Sequence, residues 1–276
     1  MKCYKFFSQS VNWATAEKNC QSVDANLASV HNTDEHNFLL NLIVPATTSA
    51  WVGGHDGEID GQWLWSDASQ FNFTSWCSGE PNNYQGNPEN CLQINFTNNS
   101  CWNDGQCSSE MSYICAKPLR SFIMAVMRAL VLLFLVFSVE SAPAEEDCPY
   151  GWTPFGVQCY KFFSQSVNWA TAEKNCQSVD ANLASMRNTV EHNFLLSLVS
   201  ATTSAWVGGH DGEIDGQWLW SDGSQFDFTS WCSGEPNNYQ GNPENCLVIN
   251  FGKNRCWNDG QCSSEMSYIC AKPLRS

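Results

Sequence analysis

Two hydrophobic patterns follow one another in the second half of the chain. Trp169, Ala172 and Cys176 recur at helical spacing and predict an amphipathic helix within Ser166–Val179. A second apolar stripe, over residues 188–199, begins with a polar pair three residues apart, as at a helix N-cap. The pattern therefore predicts two helices before residue 200.

From residue 204 onward, the chain consists of short segments of aromatic and β-branched residues separated by Gly, Asn and Pro. The segments SAWVGG, QWLWSD, CLVINF and SYICAK predict short strands. An early hairpin, two helices and then strands indicate an α+β fold. Residues 221–246 lack hydrophobic periodicity, and so long a loop in a small domain is usually functional.

The chain contains this pattern twice. The sequence of Cys3–Ser29 returns unchanged as Cys159–Ser185, and WVGGHDGEIDGQWLWSD occurs in both halves. We therefore expect two near-identical tandem domains, domain 1 at residues 1–121 and domain 2 at residues 145–276. The segment CPYGWTPFGVQ, with Cys148, precedes only the second copy, so domain 1 lacks the N-terminal hairpin.

A hydrophobic segment at residues 122–144 joins the two domains. Arg128 precedes an apolar run at residues 129–137, and small residues follow, as in a secretory signal peptide. The run is shorter than the about 20 apolar residues of a membrane span, so no stable span is expected. This interpretation predicts that domain 2 is the secreted, extracellular product, and a tandem gene pair joined into one chain would produce this arrangement. A single natural polypeptide stays open. A buried linker helix and a signal anchor are the alternatives.

The chain is acidic and rich in cysteine. It has 13 Lys and Arg against 28 Asp and Glu, which gives a formal net charge of −15. Nucleic acid is therefore excluded as a partner, because phosphate binding needs a cationic surface. The 15 cysteines indicate disulfides formed in an oxidising compartment, and the odd number leaves at least one thiol unpaired. The sequence contains no P-loop, G-x-S-x-G or H-E-x-x-H motif, which argues against an enzyme.

Carboxylate and amide side chains cluster in the long loop and just after it. Their oxygens are the ligands that Ca²⁺ prefers, and flanking cysteines can hold the two clusters together. The candidate calcium ligands are Glu235, Asn237, Glu244, Asn258 and Asp259 in domain 2, and Glu80, Asn82, Glu89, Asn103 and Asp104 in domain 1.

The motifs EPN, E-x-C and WND, with WVGG upstream and YICAK at the end, resemble the C-type lectin-like domain family. The resemblance covers residues 148–272 and 3–117. Within the family it is strongest to soluble fish lectins of the ladderlectin and nattectin type and to type II antifreeze proteins. It implies the C-type lectin-like fold, with two helices, short antiparallel strands and a long calcium-binding loop, stabilised by disulfides.

The resemblance also implies a function, which is calcium-dependent recognition of microbial glycans in innate immunity. Sugar hydroxyls would complete the shell of the ion, and EPN marks sugars with mannose-type equatorial 3- and 4-hydroxyls. A cis peptide at Glu235–Pro236 is implied as well, and a homo-oligomer is compatible with this role. The implied carbohydrate-binding residues are Glu235, Asn237, Glu244 and Asn258, with Glu80, Asn82, Glu89 and Asn103 in domain 1.

Spacing alone does not select a disulfide pattern, and the pairing follows from the resemblance. It leaves Cys3 free. The implied pairs are Cys148–Cys159, Cys176–Cys270, Cys232–Cys256 and Cys246–Cys262 in domain 2, and Cys20–Cys115, Cys77–Cys101 and Cys91–Cys107 in domain 1.

Two other functions on the same fold stay open. One is ice binding, because type II antifreeze proteins share the extra cysteine pair Cys232 and Cys256, although EPN favours the lectin. The other is protein binding without sugar, against which the full set of calcium ligands argues.

Several nearby residues have plainer interpretations. Asp211 and Asp215 fall near an auxiliary calcium site of the family, where Asn238 and Asn245 replace carboxylates, so we expect a second ion to be weak or absent. His210 is expected to be an ordinary loop histidine. Four tryptophans are expected in the core rather than as sugar platforms, and they are Trp206, Trp218, Trp220 and Trp231.

Overall fold

The computed structural model describes residues 2–43, 48–96, 100–118 and 148–274. No helix in these ranges is long and apolar enough to cross a membrane. The hydrophobic segment at residues 122–144 lies outside the described residues, so the signal-peptide interpretation and the domain boundaries stay predictions.

Each domain combines two helices with one sheet. Domain 1 contains β1 (Lys2–Val11), α1 (Trp13–Gln21), β2 (Asn26–Leu27), α2 (Thr33–Leu42), β3 (Ala50–His55), β4 (Leu64–Trp65), β5 (Cys91–Ile94), β6 (Trp102–Gly105) and β7 (Met111–Pro118). Domain 2 contains β8 (Thr153–Phe155), β9 (Gln158–Val167), α3 (Trp169–Gln177), β10 (Asn182–Leu183), α4 (Thr189–Leu198), β11 (Ala205–His210), β12 (Leu219–Trp220), β13 (Cys246–Phe251), β14 (Cys256–Gly260) and β15 (Met266–Pro273).

Asparagine side chains fix where the helices of domain 2 begin. The side chain of Asn168 accepts a hydrogen bond from the backbone N–H of Thr171, so α3 starts later than the predicted Ser166. Asn188 accepts in the same way from the N–H of Glu191, which confirms the predicted cap of α4.

The sheets share one strand order, and domain 2 has one strand more. In domain 2 the order is β14-β13-β11-β15-β9-β8, with β10 on β15 and β12 on β11. Strands β11 and β15 are parallel, and the other pairs of this sheet are antiparallel. The strand β8, which begins the hairpin expected only in domain 2, has no counterpart among the described residues of domain 1. The α+β fold in two copies is confirmed.

The tryptophans expected in the core pack inside domain 2. Trp206, Trp218 and Trp220 are buried, at 0%, 7% and 1% exposure. Trp231 is partly buried and packs against Trp218 and Trp257. Trp206, Trp218 and Trp220 are therefore core residues, and Trp231 packs at the edge of this core.

Seven disulfides link the described cysteines, and they are the pairs that the resemblance implies. Their Cα–Cα distances lie between 5.1 and 5.5 Å, within the usual range. Cys232–Cys256 ties the long loop to β14. Cys3 is free and exposed.

The two domains pack on each other through equivalent surfaces. Leu64 of domain 1 joins an apolar cluster of domain 2 that contains Trp169, and Leu219 of domain 2 joins the matching cluster around Trp13. His210 ends β11 at this interface and is buried at 2% exposure, so the expectation of an ordinary loop histidine was wrong. A buried, self-complementary contact of this kind is typical of two-fold related domains.

Candidate calcium and carbohydrate site

The long loop of domain 2 runs from β12 to β13 and carries the EPN motif on its outer side. Its peptide bond Glu235–Pro236 is cis, as is Glu80–Pro81 in domain 1, and both agree with the implied geometry. In the loop Glu235 is half-buried, whereas Pro236 and Asn237 are exposed. The motif therefore exposes Pro236 and Asn237 to solvent and keeps the carboxylate of Glu235 half-buried.

Asp259 on β14 anchors the loop to the sheet. Its Oδ2 atom accepts hydrogen bonds from the backbone N–H groups of Asn237 and Asn238, each at 2.8 Å, and the residue is 1% exposed. Asp104 does the same in domain 1, with distances of 2.9 and 2.8 Å. A buried carboxylate with two backbone donors holds the EPN segment against the WND strand.

Glu244 is held beside the same segment by a reciprocal pair of bonds. Its Oε2 atom accepts from the backbone N–H of Tyr239 at 2.8 Å, and its own N–H donates to Oδ1 of Asn238 at 2.7 Å. On β14, the side-chain amide of Asn258 donates to the backbone carbonyl of Asp259. These bonds gather Asn237, Glu244, Asn258 and Asp259, and Glu235 interacts electrostatically with Asp259 and Glu244.

The carboxylates at this place repel one another. Burial, Asp259 and Glu244 raise the pKa of Glu235, and burial, Asp104 and Glu89 raise the pKa of Glu80 to about 7. Two buried oxygens, Oε2 of Glu235 and Oδ1 of Asp259, have no hydrogen-bond partner among the described residues.

The orphaned oxygens have exact counterparts in Glu80 and Asp104 of domain 1. Orphaned carboxylate oxygens beside further carboxylate and amide groups suit a hard divalent cation, and Ca²⁺ prefers oxygen ligands of these kinds. The residues present therefore fit calcium in both domains.

The residues of the expected auxiliary site also come together. Asp211, Asp215, Asn238 and Asn245 line one cavity beside the long loop. Burial raises the pKa of Asp211 to about 7, with a further contribution from Asp215. Asp211 accepts through Oδ2 from the N–H of Gly216, and Asp215 accepts from the amide of Asn238, whereas Oδ1 of Asp211 has no hydrogen-bond partner among the described residues. A weak or absent second ion remains the prediction.

Sequence reasoning missed the bridging role of Asn238 and the position of Tyr239. Asn238 bridges Glu244 and Asp215 through its two side-chain atoms, so it organises the loop. Tyr239 is 61% exposed beside the motif, and its counterpart Tyr84 is 62% exposed. The sequence did offer a signal for Tyr239, because it is the one aromatic residue in the polar stretch EPNNYQGNPEN.

The profile of the family described as "Lectin C-type domain" matches residues 9–117 and 165–272. Among curated relatives, the chain is 27% identical to C-type mannose receptor 2 of Homo sapiens over 278 residues, which cover 98% of this chain but 18% of that protein. It is 42% identical to ladderlectin of Oncorhynchus mykiss over 130 residues, or 46% of this chain and 68% of that protein.

Among solved structures, the herring type II antifreeze protein is 35% identical, covers 46% of this chain and 100% of its own, and aligns with a TM-score of 0.44. The ladderlectin match confirms the resemblance to fish lectins. The chain spans less than a fifth of the length of the mannose receptor.

Proposed function

This chain belongs to the family of C-type lectin domains, and on that premise we propose that it is a secreted, calcium-dependent carbohydrate-binding protein. Its role would be recognition of microbial glycans. The observation that carries the proposal is the convergence of Glu235, Glu244 and Asp259, with orphaned carboxylate oxygens, beneath an exposed EPN segment.

The ion would be held by Glu235, Asn237, Glu244, Asn258 and Asp259, and by their equivalents in domain 1. When bound, Ca²⁺ supplies open coordination positions that sugar hydroxyls fill. The protein supplies the selectivity, because the carboxylates of Glu235 and Glu244 accept hydrogen bonds from hydroxyls and the amides of Asn237 and Asn258 donate them. This arrangement suits the equatorial 3- and 4-hydroxyls of mannose. The exposed ring of Tyr239 adds an apolar surface beside them.

The experiment exchanges donor and acceptor within the EPN motif. The variant Glu235→Gln with Asn237→Asp keeps one carboxylate and one amide, so calcium affinity should persist. A mismatched polar group costs about 1–3 kcal/mol, so even one mismatch should lower mannose affinity by about 5- to 150-fold. The affinity for galactose should rise. Because domain 1 carries the same site, Glu80→Gln with Asn82→Asp is introduced as well.

Competition by both monosaccharides at saturating calcium is the measurement. The matched control is Tyr239→Phe, which removes only a hydroxyl at the edge of the site and should keep the mannose preference. If the exchanged variant keeps the preference for mannose, Glu235 and Asn237 do not determine the sugar specificity. Absence of competition by either sugar in the unmodified protein would contradict the lectin proposal itself.

Ice binding is the second candidate function. The disulfide Cys232–Cys256, which type II antifreeze proteins share, favours it. Ice-crystal shaping, measured on the same preparations with and without EDTA, separates the two candidates. A lectin should leave ice crystals unshaped under both conditions.

A further inference from the structure

Four ionisable side chains meet at the centre of the contact between the domains. They are His55, Glu58, His210 and Glu213, and we call them the interdomain cluster. Each pair comes from the HDGE sequence that follows the WVGG strand, once in β3 and its following turn and once in β11 and its following turn. The cluster is separate from the EPN sites, none of whose predicted ligands belongs to it.

Two glycines allow the two turns to approach. A Cβ atom on Gly57 would lie 2.5 Å from the carbonyl carbon of Gly212, and the reverse distance is the same. Real Cβ atoms do not come that close to backbone, so only glycine fits at both positions. The close approach places Glu58 opposite His210 and Glu213 opposite His55.

The contacts within the cluster are short and nearly symmetric. Nδ1 of His55 lies 2.6 Å from Glu213 and 3.3 Å from Glu58, and Nδ1 of His210 lies 2.6 Å from Glu58 and 3.3 Å from Glu213. The two imidazole rings are stacked with an interplanar angle of 2° and centroids 5.1 Å apart. All four side chains are buried, at 1–3% exposure.

None of these contacts has the geometry of a hydrogen bond. Both Nδ1 atoms, both oxygens of Glu58 and both oxygens of Glu213 are buried without a hydrogen-bond partner within the described ranges. The charged atoms of the cluster thus meet only as ion pairs without hydrogen-bond geometry, and burying charged groups in this way is costly. The cluster is therefore a set of inward-facing ligand atoms rather than a satisfied polar network.

We propose that the interdomain cluster binds one Zn²⁺ ion through Nδ1 of His55 and His210 and one oxygen each of Glu58 and Glu213. Nitrogen and carboxylate ligands at about 2.0–2.2 Å in a tetrahedron lie about 3.3–3.6 Å apart. Two of the four His–Glu contacts already have this separation, and all ligand atoms lie within 4.8 Å of one another. The other two contacts need to open by less than about 1 Å.

The chemistry of the cluster selects zinc over calcium. Imidazole nitrogen suits zinc and its neighbours in the transition series, whereas Ca²⁺ takes oxygen ligands. Two carboxylates balance the charge of the ion. With four protein ligands and no exposed position, the site is of the closed, structural kind. Zinc there would clamp domain 1 to domain 2, and a groove lined by Gly57, Gly212 and Glu213 gives access from solvent.

The test measures zinc on the untagged full chain with its disulfides formed. The protein is stripped with a chelator, dialysed against ZnCl₂ in millimolar CaCl₂ so that the EPN sites are occupied, and analysed by mass spectrometry of metals. We expect one tightly held Zn²⁺ per chain. Co²⁺ in place of zinc should give the intense visible absorption of a tetrahedral site.

Two variants locate the ion. His55→Gln with His210→Gln removes both nitrogen ligands and should weaken zinc binding by at least about tenfold, the loss that even an outer-shell change causes. The matched control is His36→Gln with His192→Gln, an equivalent buried pair outside the cluster, which should bind zinc like the unmodified chain.

Failure of the stripped, unmodified chain to retain Zn²⁺ would overturn the proposal, as would equal zinc affinity in the cluster variant. If the cluster variant does not fold, the variant Glu58→Gln with Glu213→Gln is used instead, because glutamine keeps the shape of glutamate. The Co²⁺ spectrum of the unmodified chain decides without any variant, because a spectrum of octahedral oxygen coordination alone would contradict a histidine site.

Discussion

Asp259 offers a way to separate loop anchoring from cation binding. Its Oδ2 atom accepts two backbone hydrogen bonds at 2.8 Å, from Asn237 and Asn238, while its Oδ1 atom is orphaned. In Asp259→Asn the amide oxygen can keep both backbone bonds, but an NH₂ group then occupies one of the two oxygen positions. In Asp259→Ala both backbone donors lose their partner. The first variant should therefore lose calcium and keep the loop, and the second should lose both.

The cost of the alanine variant can be worked from these contacts. A hydrogen bond to a charged group contributes about 1.5–3 kcal/mol, so two contribute about 3–6 kcal/mol at most. Asn237 is exposed and Asn238 half-buried, so water can replace part of this. We expect a free-energy loss of about 2–3 kcal/mol for loop closure in EDTA, and less than about 1 kcal/mol for Asp259→Asn.

Hydrogen exchange of the loop amides is the assay. A loss of about 2–3 kcal/mol lowers their protection by about 30- to 150-fold. The unaltered loop of domain 1, anchored by Asp104 with the same bonds, is an internal control in the same molecule. Peptides that extend to Gln93 or Val248 distinguish the two copies. Equal protection of the domain 2 loop in the alanine variant and the unmodified chain would refute the anchoring role.

Three further predictions concern the folded state. The side chain of Leu219 is 2% exposed and packs in the apolar cluster of the other domain. In Leu219→Ala the free energy of unfolding, measured by urea titration, should fall by about 2–5 kcal/mol. A loss near zero would contradict the buried interface. Burial raises the pKa values of Glu17 and Glu173, so these groups bind more protons in the folded chain than in the unfolded chain. Their contribution to the free energy of unfolding should therefore decrease as pH rises above about 4.3. Replacing both with Gln should make the free energy of unfolding less dependent on pH, and an unchanged pH dependence would contradict this. Residues 1–121 alone, which lack the hairpin and its disulfide, should unfold at a lower temperature than residues 145–276 alone, and calorimetry showing equal, reversible midpoints would contradict this.

The elements that local sequence determines were predictable. The Asn188–Glu191 pair predicted the start of α4 because the capping interaction lies within four residues. Trp206 and Trp220 were predictable as core because they lie in short apolar segments. The segment QWLWSD forms a strand only at Leu219–Trp220, because its pairing partner β11 offers two residues there.

The contact between the domains was not predictable in the same way. His210 looked like a loop histidine because its partner Glu58 lies in the other copy, about half the chain away. The periodicity of hydrophobic residues gives no information about such a long-range contact. The one available signal was the repetition of HDGE in both copies. The EPN site was identified through its motifs, whereas the bridging role of Asn238 depends on a backbone turn with φ of 46° that the motif does not specify.

We propose that the carboxylates and amides of the EPN sites hold a calcium ion that in turn binds sugar. Retention of the full chain on mannan-agarose, with calcium and then with EDTA, tests it most directly. We expect retention in calcium, release by EDTA, and no retention of the variant that carries Asp104→Asn with Asp259→Asn. Retention that survives EDTA, or passage through the column in saturating calcium, would contradict it.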